Sequence, residues 1–171
     1  MNHIVNRLIV PLLLLTVLVG CTVSYKFNGA SIDYTRTRTI SFKDFTNNAP
    51  LVYPQLAPMF NESLKDLFSR QTKLSQVREN GDVAFEGEIT GYDITPMSIG
   101  DDAIAAETRL TITVNVRYSN KTQPDKNFER KFSAFRNFPN TRTLTQVQGE
   151  VCQEIVDEIV ETIFNQTMAD W

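Results

Sequence analysis

The chain has 171 residues, with 17 Lys+Arg against 20 Asp+Glu, one histidine and two cysteines. That length supports one ordinary domain with room for a core. The slight acidic excess argues against a nucleic-acid binder, which needs a strong basic excess or a dense basic stripe.

The first element in chain order is a leader. Arg7 precedes the apolar run Leu8 to Val19, which closes as Leu18-Val19-Gly20-Cys21. A basic start, a short apolar stretch and a small residue before a cysteine form the pattern of a bacterial lipoprotein signal. Cleavage after Gly20 leaves Cys21 as an N-terminus carrying diacylglyceryl and N-acyl (palmitate-type) chains. The run is 12 residues long and is interrupted by Pro11 and Thr16, short of the roughly 20 needed to cross hydrocarbon as a helix. The bland alternative is a short buried strand that ends in cysteine. Residues 1–20 are thus read as signal peptide, 21–36 as lipidated N-terminus and tether, and 37–171 as a single folded domain. Two or more acyl chains, at about 0.8 kcal/mol per buried methylene, make a stable anchor.

Removing the leader leaves 151 residues with 16 Lys+Arg against 20 Asp+Glu, a formal charge of −4. His3 goes with it. The mature chain then has no histidine, which excludes Ser-His-Asp and Cys-His catalysis and removes the commonest zinc ligand. Cys152 has no disulfide partner and sits in an apolar helical pattern, where it reads as a small buried hydrophobe. No metal loop, phosphate cradle or dinucleotide turn is present. No catalytic residue, metal ligand or cofactor is expected beyond the lipid on Cys21.

After the polar lead-in of residues 22–36, Thr37 to Phe45 alternates as a strand, with Ile40 and Phe42 on one side. Asn47-Asn48-Ala49-Pro50 breaks it. Leu56, Met59, Phe60, Leu64, Leu67 and Phe68 then form one helical stripe, more simply core than binding site. Pro54 or Pro58 fits the first turn. Asn80-Gly81-Asp82 signals a turn before a strand from Val83 to Ile94, in which Gly87 and Gly91 point to a bulge or a close approach. Thr95 to Ala106 reads as a loop holding Met97, Ile99, Ile104 and the pair Asp101-Asp102.

The clearest strand follows. Leu110, Ile112, Val114, Val116 and Tyr118 point one way, and Arg109, Thr111, Thr113, Asn115 and Arg117 the other. Ser119 to Lys126 is a hairpin connection, and Phe128 to Phe138 a fourth strand. Thr143 and Thr145 each precede a Gln by three positions, a capping-box pattern. It opens a long helix with Val147, Val151, Ile155, Ile159 and Ile163 on its apolar face.

The order β-α-β-β-β-α predicts an α+β two-layer sandwich, with two helices packed on one face of a mostly antiparallel four-stranded sheet. The opposite Thr- and Arg-rich face has no element left to cover it. It is either an ordinary half-solvated sheet or a docking surface for a polar partner. Arg109 and Arg117 lie roughly 26 Å apart along their strand, too far to clamp one phosphate. Arg36, Arg38 and Lys43 near the first strand, and Lys131 and Arg136 on the fourth, are candidates to join them. A carboxylate pair, Asp101/Asp102 or Glu86/Glu88, is the only opening for an enzyme, and it has no companion acid-base machinery.

Several stretches are familiar in order and spacing. They are Gly20-Cys21, Tyr25-Lys26-Phe27-Asn28-Gly29-Ala30-Ser31-Ile32, Phe42-Lys43-Asp44-Phe45-Thr46-Asn47-Asn48-Ala49 and Leu64-Lys65-Asp66-Leu67-Phe68. Gln71-Thr72-Lys73-Leu74, Gly81-Asp82-Val83-Ala84-Phe85-Glu86-Gly87, Arg109-Leu110-Thr111-Ile112-Thr113-Val114, and Ile163-Phe164-Asn165 with Trp171 continue the series. Through these the chain resembles the LptE family of lipopolysaccharide-assembly lipoproteins, in its Bacteroidetes-type branch. The resemblance implies a non-enzymatic outer-membrane lipoprotein that faces the periplasm, plugs the β-barrel LptD and helps deliver lipopolysaccharide to the outer leaflet. A barrel lumen is polar, so the uncovered face suits it. Arg109, Arg117, Thr111, Thr113 and Lys131 are the expected contacts with lipopolysaccharide or barrel. Thr22 after Cys21 resembles outer-membrane sorting. The alternative is another periplasm-facing envelope lipoprotein serving a secretion or cell-wall complex.

Overall fold

The computed structural model describes residues 32–98 and 105–168. The leader, Cys21 and the tether up to residue 31 lie outside the described residues, as do Ile99, Asp101, Asp102, Ile104 and Trp171. The elements are β1 (Thr39–Phe42), β2 (Thr46–Asn47), α1 (Leu56–Gln71), β3 (Ser75–Val77), β4 (Val83–Ser98), β5 (Ala105–Asn120), a 3-10 turn (Pro124–Lys126), β6 (Phe128–Pro139) and α2 (Leu144–Met168).

The α+β class and the two helices stand, but the sheet differs from the expected one. It has six strands in the order β3-β1-β4-β5-β6, with β2 also on β4. β1 runs parallel to β3 and β4, and β2 parallel to β4, while β4, β5 and β6 form an antiparallel meander. The sheet is therefore mixed, and the order β-α-β-β-β-α omits two strands. β2 has two residues and β3 three, too few to display a period of two. The parallel pairing follows from α1, because a helix between strands carries the chain back to the end from which it started.

The segment 95–106 is mostly strand. β4 continues to Ser98 and β5 begins at Ala105, with Thr95 opposite Arg109, Pro96 opposite Thr108 and Met97 opposite Glu107. Pro96 is tolerated because β2 pairs with β4 only as far as Ile89, so β4 is an edge strand at that height. A register shift between Ile89 and Gly91 marks a bulge. At Gly87 the approach is close. A Cβ there would lie 2.1 Å from the Asn115 carbonyl oxygen and 2.5 Å from the Phe45 ring.

Asn80, with φ 59°, turns the chain from β3 into β4. Asp82 then locks the head of the sheet. Its carboxylate accepts the N–H groups of Arg38 and Thr39 and the Thr39 hydroxyl at 2.8–2.9 Å. Those donors, the Arg38 N–H foremost, hold its carboxyl below the usual range.

The helices bury the stripes read from the sequence: Leu56, Phe60, Leu64 and Phe68 on α1, and Val147, Val151, Ile155, Ile159 and Ile163 on α2. At about 1.5–3 kcal/mol per fully buried large apolar side chain, such faces supply most of the drive to fold. One arm of the capping box is made, with the Thr143 N–H donating to Gln146 Oε1 at 2.9 Å. The helices pack on each other, and α2 packs on β5 and β6. Phe42, Phe68, Phe85, Phe164, Tyr118 and Phe128 link as neighbouring rings through the core. Cys152 is fully buried and free.

Candidate functional site

The face of the sheet away from the helices is built by strand parity. On β5 it presents Arg109, Thr111, Thr113, Asn115 and Arg117. Their neighbours are Thr95, Asp93, Gly91, Glu88 and Glu86 on β4, and Asn137, Phe135, Ser133, Lys131 and Glu129 on β6. Arg136 does not join this face. It lies opposite Leu110 on the helix side, where its guanidinium bonds Glu154 at 3.0 Å and Glu158 at 2.5 Å on α2. Residues with even numbers on β6 face the helices, and the odd ones face out.

The two halves of the open face differ in how their charges are paired. The half nearest Asp82 carries a row of ion pairs across four segments. Lys43 Nζ lies 3.7 Å from Glu86, which Arg117 reaches at 2.7 Å, and Arg117 in turn reaches Glu129 at 3.0 Å. Asn115 also donates to Glu129, at 2.9 Å. The Asn115 and Arg117 hydrogen bonds hold the Glu129 carboxyl low, and Glu86 and Glu129 push the Arg117 guanidinium up. These exposed pairs contribute little to stability. Around them lies a shallow depression of about 340 Å³ whose lining holds Asp44, Glu86, Glu88 and Glu129 against Lys43 and Arg117. The Arg117 fork is thus filled by protein carboxylates. Glu86 is spent on Lys43 and Arg117, and Glu88 accepts from the Asn48 side chain.

The half towards Ser98 and Ala105 is rich in hydroxyls and sets Arg109 among the carboxylates of Asp93 and Glu107, the latter accepting from Asn137 Nδ2 at 3.2 Å. The Arg109 guanidinium sits 4.0 Å above the Phe135 ring centroid, and its Nε donates to Asn137 Oδ1 at 3.0 Å. A cation over an aromatic face is a favourable quadrupole contact. The Thr113 and Ser133 hydroxyls are 3.1 Å apart. Lys131 has no ion-pair partner among the described residues and is exposed. Phe135 is 48 % exposed. Phe135 and Asn137 were not among the residues expected from sequence. The available signal was phase: Phe128, Phe132 and Phe138 share one parity of β6, and Phe135 has the other.

A second groove, of about 830 Å³, runs between β2 and α1 and is lined by Asp44, Phe45, Asn61, Glu62, Lys65 and Asp66 among others. Among the described residues no cluster of His, Cys, Asp or Glu has the geometry to hold a metal ion. No helix among them is long and apolar enough to cross a membrane.

Residues 37–167 match the family LptE, described as lipopolysaccharide-assembly. No curated protein matches the chain. Among solved structures, a protein from Xanthomonas campestris is 14 % identical with a TM-score of 0.55, covering 77 % of this chain and 83 % of its own. An uncharacterized lipoprotein B from Nitrosomonas europaea is 12 % identical with a TM-score of 0.53, over 77 % and 83 % of the two chains. A minor lipoprotein from Acinetobacter baumannii is 14 % identical with a TM-score of 0.51, over 76 % and 91 %. At such identities the likeness is one of fold.

Proposed function

We propose, since the chain belongs to the lipopolysaccharide-assembly family LptE, that it is a binding and assembly subunit that sits in the lumen of an LptD-type outer-membrane β-barrel. In this reading residues 1–20 are a signal peptide. Acyl chains on Cys21 hold the protein to the outer membrane, facing the periplasm, and residues 21–36 tether the folded part, 37–171. The open sheet face meets the polar barrel wall and lipopolysaccharide. Arg109, Thr111, Thr113 and Lys131 make the contacts. Arg117 takes part only by exchanging Glu86 or Glu129 for a new partner.

One observation carries this reading. Both helices lie on one side of the sheet, and the other side is a continuous polar surface of hydroxyls, amides and charges of both signs. A water-compatible host suits such a surface, because hydroxyls and guanidinium groups keep hydrogen-bonding partners there. Such a protein works by shape and positioning, with no bond made or broken.

The test is isolation of the lipidated protein from native membranes, with photo-crosslinkers at Arg109, Thr113 and Met97. Recovery of a large heat-modifiable barrel crosslinked through Arg109 and Thr113 is expected. Recovery of small periplasmic proteins alone would overturn the reading.

A further inference from the structure

The turn Asn80-Gly81-Asp82 joins β3 to β4 and lies against β1. Asn80 is exposed and has φ 59°, a conformation that asparagine and glycine tolerate better than other residues. Gly81 is buried. A Cβ there would lie 2.6 Å from the Ser41 nitrogen and 2.6 Å from the Val83 carbonyl oxygen, so no larger residue fits. The fold therefore requires glycine at the second position and favours asparagine at the first. That pair is also the one most open to attack on itself, because glycine has no side chain to keep its nitrogen from the preceding carboxamide.

In that reaction the Gly81 nitrogen gives up its proton and bonds to Asn80 Cγ. The carboxamide C–N bond breaks, and its nitrogen leaves as ammonia with the proton. One water then opens the five-membered imide at either carbonyl. The product is aspartate or, where the main chain is rerouted through the side chain, isoaspartate. Water is the only co-reactant, and nothing is oxidised or reduced.

Both ends of the reacting peptide unit are held. The Gly81 N–H donates to Ser41 Oγ at 3.2 Å in a buried place, and the Asn80 carbonyl oxygen accepts from Lys121 Nζ at 2.9 Å. The following N–H, that of Asp82, donates to the Thr39 hydroxyl at 2.9 Å. While Ser41 holds the Gly81 N–H, solvent base does not reach the proton and the nitrogen is no nucleophile. The Lys121 charge on the carbonyl oxygen eases proton loss once Ser41 lets go. We propose that Asn80 is a modification site latched by Ser41, whose side-chain amide is lost to water only when the turn lifts from β1. Isoaspartate adds one carbon to the main chain just ahead of Asp82, whose carboxylate grips Arg38 and Thr39. Conversion therefore loosens the head of the sheet and leaves a lasting record of its opening. This inference does not rest on the lipopolysaccharide reading.

The test follows the full chain in detergent through incubation in mildly alkaline buffer, with tryptic mass spectrometry. Residues 79–109 form one tryptic peptide, and Asn80 is its only Asn or Gln. The mass gained when NH2 becomes OH is therefore assigned to Asn80 directly. Conversion in the folded protein is expected to be at least about tenfold slower than in urea, the equivalent of opening one buried hydrogen bond. Ser41→Ala should speed conversion of the folded protein several-fold. Asn61→Ala, which weakens the fold away from the turn, should leave the rate at the parent value, because local opening far outnumbers global unfolding. Equal rates in the folded and unfolded parent overturn the proposal, and that arm uses unaltered protein and stands if Ser41→Ala misfolds. A folded Ser41→Ala with the parent rate also overturns it, as does an equal rise in both variants, which marks global unfolding as the route. Barrel recovery is indifferent to these rates, so the two proposals fail separately.

Discussion

The Asn61 carboxamide makes both hydrogen bonds to the backbone of Phe45, accepting its N–H at 2.8 Å and donating to its carbonyl oxygen at 3.0 Å. The side chain of a helix residue thereby stands in for a neighbouring strand, at the point where the chain passes from β1 to β2. Asn61→Ala leaves two backbone groups without partners in a half-buried place, at a cost of about 1–3 kcal/mol. Asn61→Asp keeps the acceptor and loses the donor, so it should fall between the two. Urea unfolding of the three proteins gives the order.

Two glycines give opposite signs. Gly87→Ala drives a Cβ into the Asn115 carbonyl and the Phe45 ring and should destabilise by about 1–3 kcal/mol or more, as overpacking does. Gly149 lies exposed in α2, where an added Cβ finds nothing nearer than the Tyr53 hydroxyl at 4.0 Å. Gly149→Ala should therefore stabilise, by about 0.5–1 kcal/mol, through helix propensity. Thermal melts of the pair against the parent check both.

Burial pushes the Cys152 thiol up to about 11 and the Tyr92 phenol up to about 12. Both groups are neutral when protonated, so a raised value means that the fold holds the proton longer than the unfolded chain does. Between pH 9 and 12 the unfolded state has fewer protons bound, and stability falls as pH rises. Tyr92→Phe should flatten the upper part of that fall and Cys152→Ala the lower. Unfolding midpoints measured across that range report the slopes. At neutral pH Cys152 should resist alkylation until denaturant is added.

The acid side has the reverse sign. Glu129 is held low by Asn115 and Arg117, and Asp82 by Arg38 and Thr39. Their stabilisation is present above the ordinary carboxylate range and is lost as pH falls through the lowered values. Because Glu129 is exposed, Glu129→Gln should leave the melting temperature at pH 7 essentially unmoved, whereas Asp82→Asn should lower it and reduce the loss in acid. Melts at pH 7 and in the acid range separate the two.

The long periodic segments were legible in sequence. Alternation from Arg109 to Tyr118 fixed the two faces of β5, and the four-residue recurrence of Val147 to Ile163 fixed the buried side of α2. The parallel strands were not legible, because Thr46–Asn47 and Ser75–Val77 take their conformation from their neighbours. Thr95 to Ser98 looked irregular because Pro96 and polar residues suit a strand that has lost its outer neighbour. On the open face, parity located Arg109, Thr111, Thr113 and Arg117 correctly. It could not reveal that Arg117 is enclosed by two carboxylates, since Glu86 and Glu129 lie far from it in sequence. For Arg136 the same parity argument, applied to β6 from Phe128, already assigns the helix side.

β1 is held between β3 and β4, and the Asp82 carboxylate grips its first residues. A load strong enough to open the turn from Asp33 to Thr37 ahead of that grip then acts along the strand's own axis. The ladders on both flanks then resist together in shear, instead of parting one bond at a time as a peeled strand would. A protein moored through its N-terminus would thus transmit load into the middle of its sheet without unravelling.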